Sequence, residues 1–147
     1  MKKSAYTMIA ILVLVGSLAA AAQAQTVRHA QVRVSIPFQF NAGNTTMPAG
    51  DYLVRQLNTD SGAATLQLSH KDGGANVIIN MIGSIGDGQA MTKVVFRRYG
   101  DQYYFGEVWI DGDKDGLQAP RSKAERATKQ ELAALKVAME TVALRVR

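Results

Sequence analysis

The sequence predicts a mainly β protein, an antiparallel β-sandwich or barrel of about six to eight strands followed by one C-terminal α-helix. Two observations lead to this fold class. Between residues 31 and 110, short segments of alternating apolar and polar side chains are separated by clusters of Gly, Asn and Asp. After Pro120 the alternation gives way to strong helix formers with no Gly or Pro up to residue 144.

The first predicted strand shows the alternation most clearly. Between Gln31 and Phe40 every second side chain from Val32 onward is apolar, which is typical of a strand with one buried face. Pro37 has no amide hydrogen to donate, so it predicts an edge strand or a bend. Residues 41–46 are expected to form a turn.

Five further strands are predicted by the same pattern. Turn signals at Asn58–Gly62, Lys71–Gly74 and Gly100–Asp101 separate several of them. The fourth strand of the sheet carries Val77–Ile79, which is apolar on both faces and therefore indicates a central strand. The Gly-rich residues 82–91 are interpreted as a loop, unless the preceding strand continues into their start. The five predicted strands are Asp51–Leu57, Ala63–Ser69, Ala75–Met81, Thr92–Tyr99 and Gln102–Ile110.

The C-terminal helix is predicted to begin after a capping box. Ser122 can accept a hydrogen bond from the amide of Glu125, while the Glu125 side chain reaches back to the cap. The helix is expected to run from Lys123 as far as Leu144. Its apolar residues recur at spacings of three, four and three, which would place them on one stripe that covers the sheet or a second subunit: Leu132, Leu135, Met139 and Val142.

The N-terminus has the layout of a cleavable secretory signal peptide. Lys2 and Lys3 precede the uncharged, mostly apolar run Met8–Ala22, and small residues flank a cleavage position after Ala24. The run is shorter than the ~20 residues that span a bilayer, and no second apolar run follows. We therefore expect a signal peptide at 1–24, a β domain at 25–120 and an amphipathic helix at 121–147. The exported protein would be periplasmic or extracellular, with no transmembrane segment.

The amino-acid composition excludes some classes of function and suggests others. The chain has no cysteine, which excludes thiol catalysis and cysteine metal sites. Residues 25–120 carry eight Lys/Arg and nine Asp/Glu, whereas residues 121–147 carry seven Lys/Arg and three Glu. The basic tail could contact anionic lipid, acidic polysaccharide or an acidic partner, or it could simply be a solvated helix face. Arg97 and Arg98 would point to opposite faces of a strand and form no nucleic-acid patch.

An acidic loop offers a candidate metal site. Asp111, Asp113 and Asp115 alternate and are closed by Gly116, which matches the first half of a calcium-binding loop. Position twelve of such a loop would be Ser122, which lacks the carboxylate that calcium needs there. The alternative is a polar turn between strand and helix. Calcium is the one cofactor that the sequence suggests.

An aromatic row offers a candidate ligand surface. On a regular strand, Tyr103, Phe105 and Trp109 would share one face, and Tyr104 and Val108 would share the other. Such a row could stack on sugars or apolar ligands. The alternative is that the helix or a second sheet covers these rings.

Signs of enzyme chemistry are few. The two histidines are His29, near the expected new N-terminus, and His70, beside a turn, and neither lies in a zinc or nucleophile motif. The sequence therefore predicts a non-enzymatic exported protein that acts by binding or assembly on an envelope or extracellular partner, or as a homo-oligomer through its helix. One alternative is a small-ligand or glycan-binding module that uses the aromatic face. Another is a hydrolase with carboxylates at the acidic loop.

The order of several segments resembles a family of small secreted bacterial proteins of soil-bacterium type. The segments are Ile36–Phe38 with Pro48–Tyr52, Val94–Phe105 with Val108–Trp109, and Ser122–Arg126. They correspond to a PAGxY segment, a VFxRYGxxYYF hairpin and a C-terminal SxAER helix. The resemblance covers most of the expected mature chain. It implies an export signal, a β-rich body and a C-terminal helix, and it brings no known activity or site residue.

Overall fold

The computed structural model describes residues 31–58, 63–86 and 91–146. The expected signal peptide and the turn residues 59–62 lie outside the described residues. The fold class is confirmed, because the described chain is mainly β with one helix near the C-terminus. Its elements are β1 (Gln31–Ile36), β2 (Phe40–Ala42), β3 (Thr45–Met47), β4 (Gly50–Asn58), β5 (Ala63–His70), β6 (Asn76–Ile85), β7 (Lys93–Tyr99), β8 (Gln102–Trp109), β9 (Asp115–Gln118), α1 (Lys123–Ala134) and β10 (Met139–Arg145).

One coiled antiparallel sheet surrounds the core. Its order is β1-β4-β5-β6-β9-β8-β7-β10, and the short β2–β3 hairpin joins β8 through a parallel bridge between Asn41 and Tyr104. The two end strands, β1 and β10, come within 8 Å of each other between Cα atoms but form no ladder. The sheet is therefore not closed, and its two halves pack across the core as in a β-sandwich.

The core is built from the inward side of the alternating strands. In β1, Val32, Val34 and Ile36 are buried, whereas Arg33 and Ser35 are exposed, as the alternation predicts. The centre is aromatic: the fully buried Phe96 packs edge-on against three rings. Its ring centroid lies 5.2 Å from that of Phe38, 5.3 Å from that of Phe40 and 5.9 Å from that of Phe105. Such edge-to-face pairs add to the free energy gained by burying the rings.

The N-terminal part differs from the prediction in one element. The expected single strand breaks at Pro37, and β2 and β3 then pair across a tight turn that includes Gly43, whose φ is 62°. The prediction that all of residues 41–46 form a turn was therefore wrong. Phe40 and Met47, which face each other in this hairpin, are buried, so their burial in the core explains why so short a hairpin is stable.

Strand β6 is longer and less covered than the sequence predicts. It continues to Ile85, which confirms the alternative that the strand extends into the start of the Gly-rich residues 82–91, of which 87–90 lie outside the described residues. It lies centrally, between β5 and β9, as predicted. However, Ile78 is 60% exposed, so the expectation of two buried faces was wrong. Strand β9, which pairs with Ile82–Ile85, was not predicted because its four residues are too few to show a period.

The C-terminal helix begins where predicted and ends much earlier. The amide of Glu125 donates to Ser122 Oγ at 3.1 Å, which is the predicted cap. The Glu125 side chain binds Arg97 instead of reaching back to the cap, so that half of the predicted capping box was wrong. The helix ends at Ala134, Lys136 adopts a left-handed φ of 58°, and β10 then pairs with β7 from Met139 to Arg145. The predicted helix up to residue 144 and its single apolar stripe were therefore wrong. Pairing with an open sheet edge outweighs the local helical propensity of residues 139–145.

Candidate functional site

The three aromatic residues of the predicted ligand surface do not share a face. Phe96 pairs with Phe105 but Val95 pairs with Glu107, so Gly106 is an extra residue, a β-bulge. The bulge reverses the alternation, and Trp109 comes to lie on the sheet face opposite Phe105, outside the core cluster. The prediction of one aromatic row was therefore wrong.

Each of these rings packs against the protein itself. Phe105 is buried in the core, and Tyr103 stacks on Phe38 with ring centroids 3.9 Å apart. Trp109 is buried on the outer face, where its indole Nε1 donates to Glu107 at 2.8 Å. The interpretation of the rings as packing groups fits these contacts.

Gly116 lies directly beneath the indole of Trp109. A Cβ atom added there would lie 2.6 Å from ring atoms. Because this chain has a single Trp, its fluorescence reports on the contact directly. We expect Gly116→Ala to lower the free energy of unfolding by about 1–3 kcal/mol through overpacking, and to shift the Trp emission to longer wavelength.

Gly83→Ala is the matched control for that substitution. Gly83 lies on β6, and nothing lies within 4 Å of the position of an added Cβ. We expect it to leave both the emission and the unfolding midpoint essentially unchanged. Equal effects of the two substitutions would contradict the close packing of Trp109 on Gly116.

The acidic loop is a solvated turn that leads into β9. Asp111, Asp113 and Asp115 are all exposed. Among residues 31–58, 63–86 and 91–146, no group of three or more His, Cys, Asp or Glu side chains is arranged to hold a metal ion. The calcium site therefore stays a prediction from the sequence pattern.

A buried ion pair joins the helix to the sheet, and the sequence pattern did not reveal it. Arg97 Nε donates to Glu125 Oε1 at 2.6 Å and Arg97 Nη2 to Oε2 at 2.9 Å, with both side chains almost fully buried. Arg97 also donates to the carbonyl of Ala119 at 3.2 Å, and the Tyr99 hydroxyl donates to Glu125 at 3.1 Å. Burial raises the pKa of Tyr99 above its ordinary value of 10.0. The cluster is fully hydrogen-bonded, and it holds α1 on the outer face of β7 and β8.

A second candidate surface, which is concave, lies on the outer face of β1, β4 and β5. It is a groove of about 730 Å³. Arg145 of β10 borders this groove on the side where the sheet is not closed. Arg33 on β1 faces Leu53 on β4, and Leu53 in turn faces Ser69 on β5. The outward side chains that line it are Arg33, Ser35, Asp51, Leu53, Ser69, Lys71 and Arg145.

Charge in this groove is predominantly positive. Arg33, Lys71 and Arg145 contribute three exposed cations, and Asp51 contributes one carboxylate. None of these three cations forms an ion pair with a carboxylate of the described residues. His70 also lines the groove, but its ring stands edge-on to Tyr52 and its Nδ1 accepts the Asp72 amide at 3.2 Å. Three unpaired cations around a hollow of this size can bind an anion by charge and by hydrogen bonds.

Comparison of the chain with protein-family models, curated proteins and solved structures finds no match. The resemblance to small secreted bacterial proteins therefore stays a prediction. No helix within the described residues is long and apolar enough to cross a bilayer.

Proposed function

We propose that this chain is an exported, non-enzymatic binding protein whose groove on β1, β4 and β5 takes a small organic anion with two or more acidic groups. The observation that carries the proposal is the set of three cations around a hollow of about 730 Å³: Arg33, Lys71 and Arg145. The N-terminal segment with the layout of a signal peptide supports a site of action in the periplasm or outside the cell.

The chemistry of the lining supports binding rather than catalysis. Guanidinium and ammonium groups present several N–H donors and no acceptor, which suits them to hold an anion. Ser35 adds a hydroxyl group that can donate to an acidic oxygen, and Leu53 lies between Arg33 and Ser69 as an apolar floor. A volume of this size falls in the range of about 300–1,000 Å³ that is usual for small-molecule sites.

Size and charge together favour a polyacid over a single carboxylate. Arg33 lies on β1 and Lys71 lies in the turn directly after β5, so they flank β4 on either side, and Arg145 comes from the other end of the sheet order. A ligand with a single acidic group presents too few oxygens to bind three cations that come from three separate segments of the chain. A di- or tricarboxylate or a sugar phosphate presents acidic groups in several directions.

Chemical-shift mapping by NMR tests the proposal. The chain from residue 25 onward is titrated with citrate and with glucose 6-phosphate as probes, and with neutral glucose as the reference. We expect saturable shifts confined to residues 33–35, 51–53, 69–71 and 145 with the anions, and none with glucose. The double variant Arg33→Gln/Arg145→Gln should weaken binding by at least about tenfold, because each charged hydrogen bond contributes about 1.5–3 kcal/mol.

The matched control removes the same charge elsewhere. Arg126→Gln/Lys129→Gln changes two exposed cations on the helix, and we expect it to leave the groove affinity within about twofold, because screening weakens interactions beyond ~10 Å. Shifts scattered over the whole surface, or equal losses in both double variants, would overturn the proposed site.

A further inference from the structure

The outward face of α1 and the turn that follows it form a second surface with a chemistry of its own. Five exposed cations lie between residues 121 and 136, against one exposed carboxylate, Glu131, because Glu125 is buried against Arg97. The cations are Arg121, Lys123, Arg126, Lys129 and Lys136. We propose that this surface docks on an anionic lipid bilayer.

The helix is oriented so that its cations face away from the sheet. Glu125 and Thr128 contact the sheet through Arg97 and through the Tyr104 hydroxyl, which lies 2.8 Å from Thr128 Oγ1. By helical spacing, Lys123 and Arg126 lie on the side away from this contact, and Lys129, four residues after Glu125, lies at its flank; all three are exposed. There, Arg121, Arg126 and Lys129 line a shallow groove of about 340 Å³ along the helix, which is large enough for a lipid phosphate group.

An apolar tip follows immediately at the C-terminal end of the helix. Leu135 is 68% exposed, Val137 is 40% exposed and Met139 is 44% exposed. The left-handed turn at Lys136 brings these side chains out beside the end of α1. Exposed apolar side chains next to a basic helix face are typical of proteins that lie at the membrane interface, with cations at the headgroups and apolar groups below them.

The positive charge of this surface favours an anionic bilayer over a second copy of this chain as its partner. Two such surfaces in a symmetric dimer would bring like charges together, which is unfavourable. An anionic bilayer offers complementary charge to the cations and an apolar layer to Leu135, Val137 and Met139. This surface is separate from the β1–β4–β5 groove, so the inference stands independently of the proposed ligand.

Vesicle co-sedimentation tests this inference on the chain from residue 25 onward. The probes are vesicles of phosphatidylcholine with about one third phosphatidylglycerol, and vesicles of phosphatidylcholine alone. We expect binding to the anionic vesicles that weakens with salt, and little binding to the neutral ones. Arg126→Gln/Lys129→Gln should weaken it about 25-fold, since each cation near the surface contributes about fivefold. Leu135→Ser/Val137→Ser should weaken the binding that persists at high salt.

Two controls make the test specific. Arg33→Gln/Arg145→Gln removes the same charge from the other surface, and we expect it to weaken vesicle binding less than about threefold, because the affected cations lie away from the helix. Circular dichroism and melting curves verify that each variant is folded. Equal binding to neutral vesicles, or equal losses in both charge variants, would overturn the docking surface. A dimer on sizing chromatography that Leu135→Ser/Val137→Ser converts to monomer would overturn it in favour of self-association.

Discussion

Replacing Glu125 by Ala should lower the free energy of unfolding by about 3–5 kcal/mol, because it leaves the Arg97 guanidinium buried without its counter-charge. Arg97 is bound through two nitrogens, at 2.6 Å and 2.9 Å, and its side chain is only 8% exposed. Tyr99 loses its acceptor at the same time. Urea unfolding at neutral pH measures the loss.

The physical reason is an asymmetry of buried charge. Desolvating both groups costs about as much free energy as their attraction contributes, so the pair itself adds little net stability. Removing one partner leaves that desolvation cost uncompensated. We therefore expect Arg97→Met/Glu125→Met, which removes both charges, to be far more stable than Glu125→Ala alone. A double variant as unstable as the single one would show that packing, not charge, dominates this site.

An exposed member of the same cluster provides the matched control. Arg121 Nε lies 3.6 Å from Glu125 Oε1, and its side chain is 46% exposed. Because water screens this contact, Arg121→Ala should change stability by less than about 1 kcal/mol. A loss from Glu125→Ala as small as that from Arg121→Ala would contradict the buried ion pair.

The sequence predicted the parts of the fold that depend on neighbouring residues. The alternation in β1 and the Gly100–Asp101 hairpin turn are local patterns, and each appears as expected. The helix start at Ser122 is also local, because the cap and its donor are three residues apart. Such features follow from the backbone geometry of a few residues and need no knowledge of the rest of the chain.

The features that escaped prediction depend on contacts distant in sequence. Gly106 looks like an ordinary strand glycine until its partner is known, yet as a bulge it moves Trp109 to the opposite face. Arg97 and Glu125 are 28 residues apart, and nothing in either local pattern pairs them. The groove was harder still to predict, because Arg33, Lys71 and Arg145 come to line one surface only through the order of the strands in the sheet.

Strand β10 is the clearest case in which long-range pairing overrides local preference. Residues 139–145 contain helix formers, and their spacing fits a helical stripe as well as a strand. The free edge of β7 decides between the two, because it offers β10 a continuous ladder from Met139 to Arg145. The strand then packs the partly buried Val142 and Leu144 against the core and leaves Met139 exposed.

Leu144→Asp should therefore lower the free energy of unfolding by about 2–3 kcal/mol, since it removes apolar packing and places a charge at the core boundary. Leu144 lies opposite Val94 of β7 and packs against the buried cluster. A helix with the stripe Leu132–Leu135–Met139–Val142 would instead leave residue 144 outside that stripe, and the same change would cost little. Urea unfolding measures the difference.

Leu135→Asp is the matched control. It makes the same chemical change at a residue that is exposed if residues 139–145 form β10 and buried if the helix continues to residue 144. Leu135 is 68% exposed just after α1, so we expect a change within about 0.5 kcal/mol. In the continuous helix it would belong to the buried stripe and its replacement would be the costly one. Hydrogen exchange adds an independent measurement, since in an end strand only the amides of β10 that donate to β7 exchange slowly, whereas a helix would protect successive amides. A larger loss from Leu135→Asp than from Leu144→Asp, with slow exchange of successive amides throughout residues 139–145, would contradict the strand.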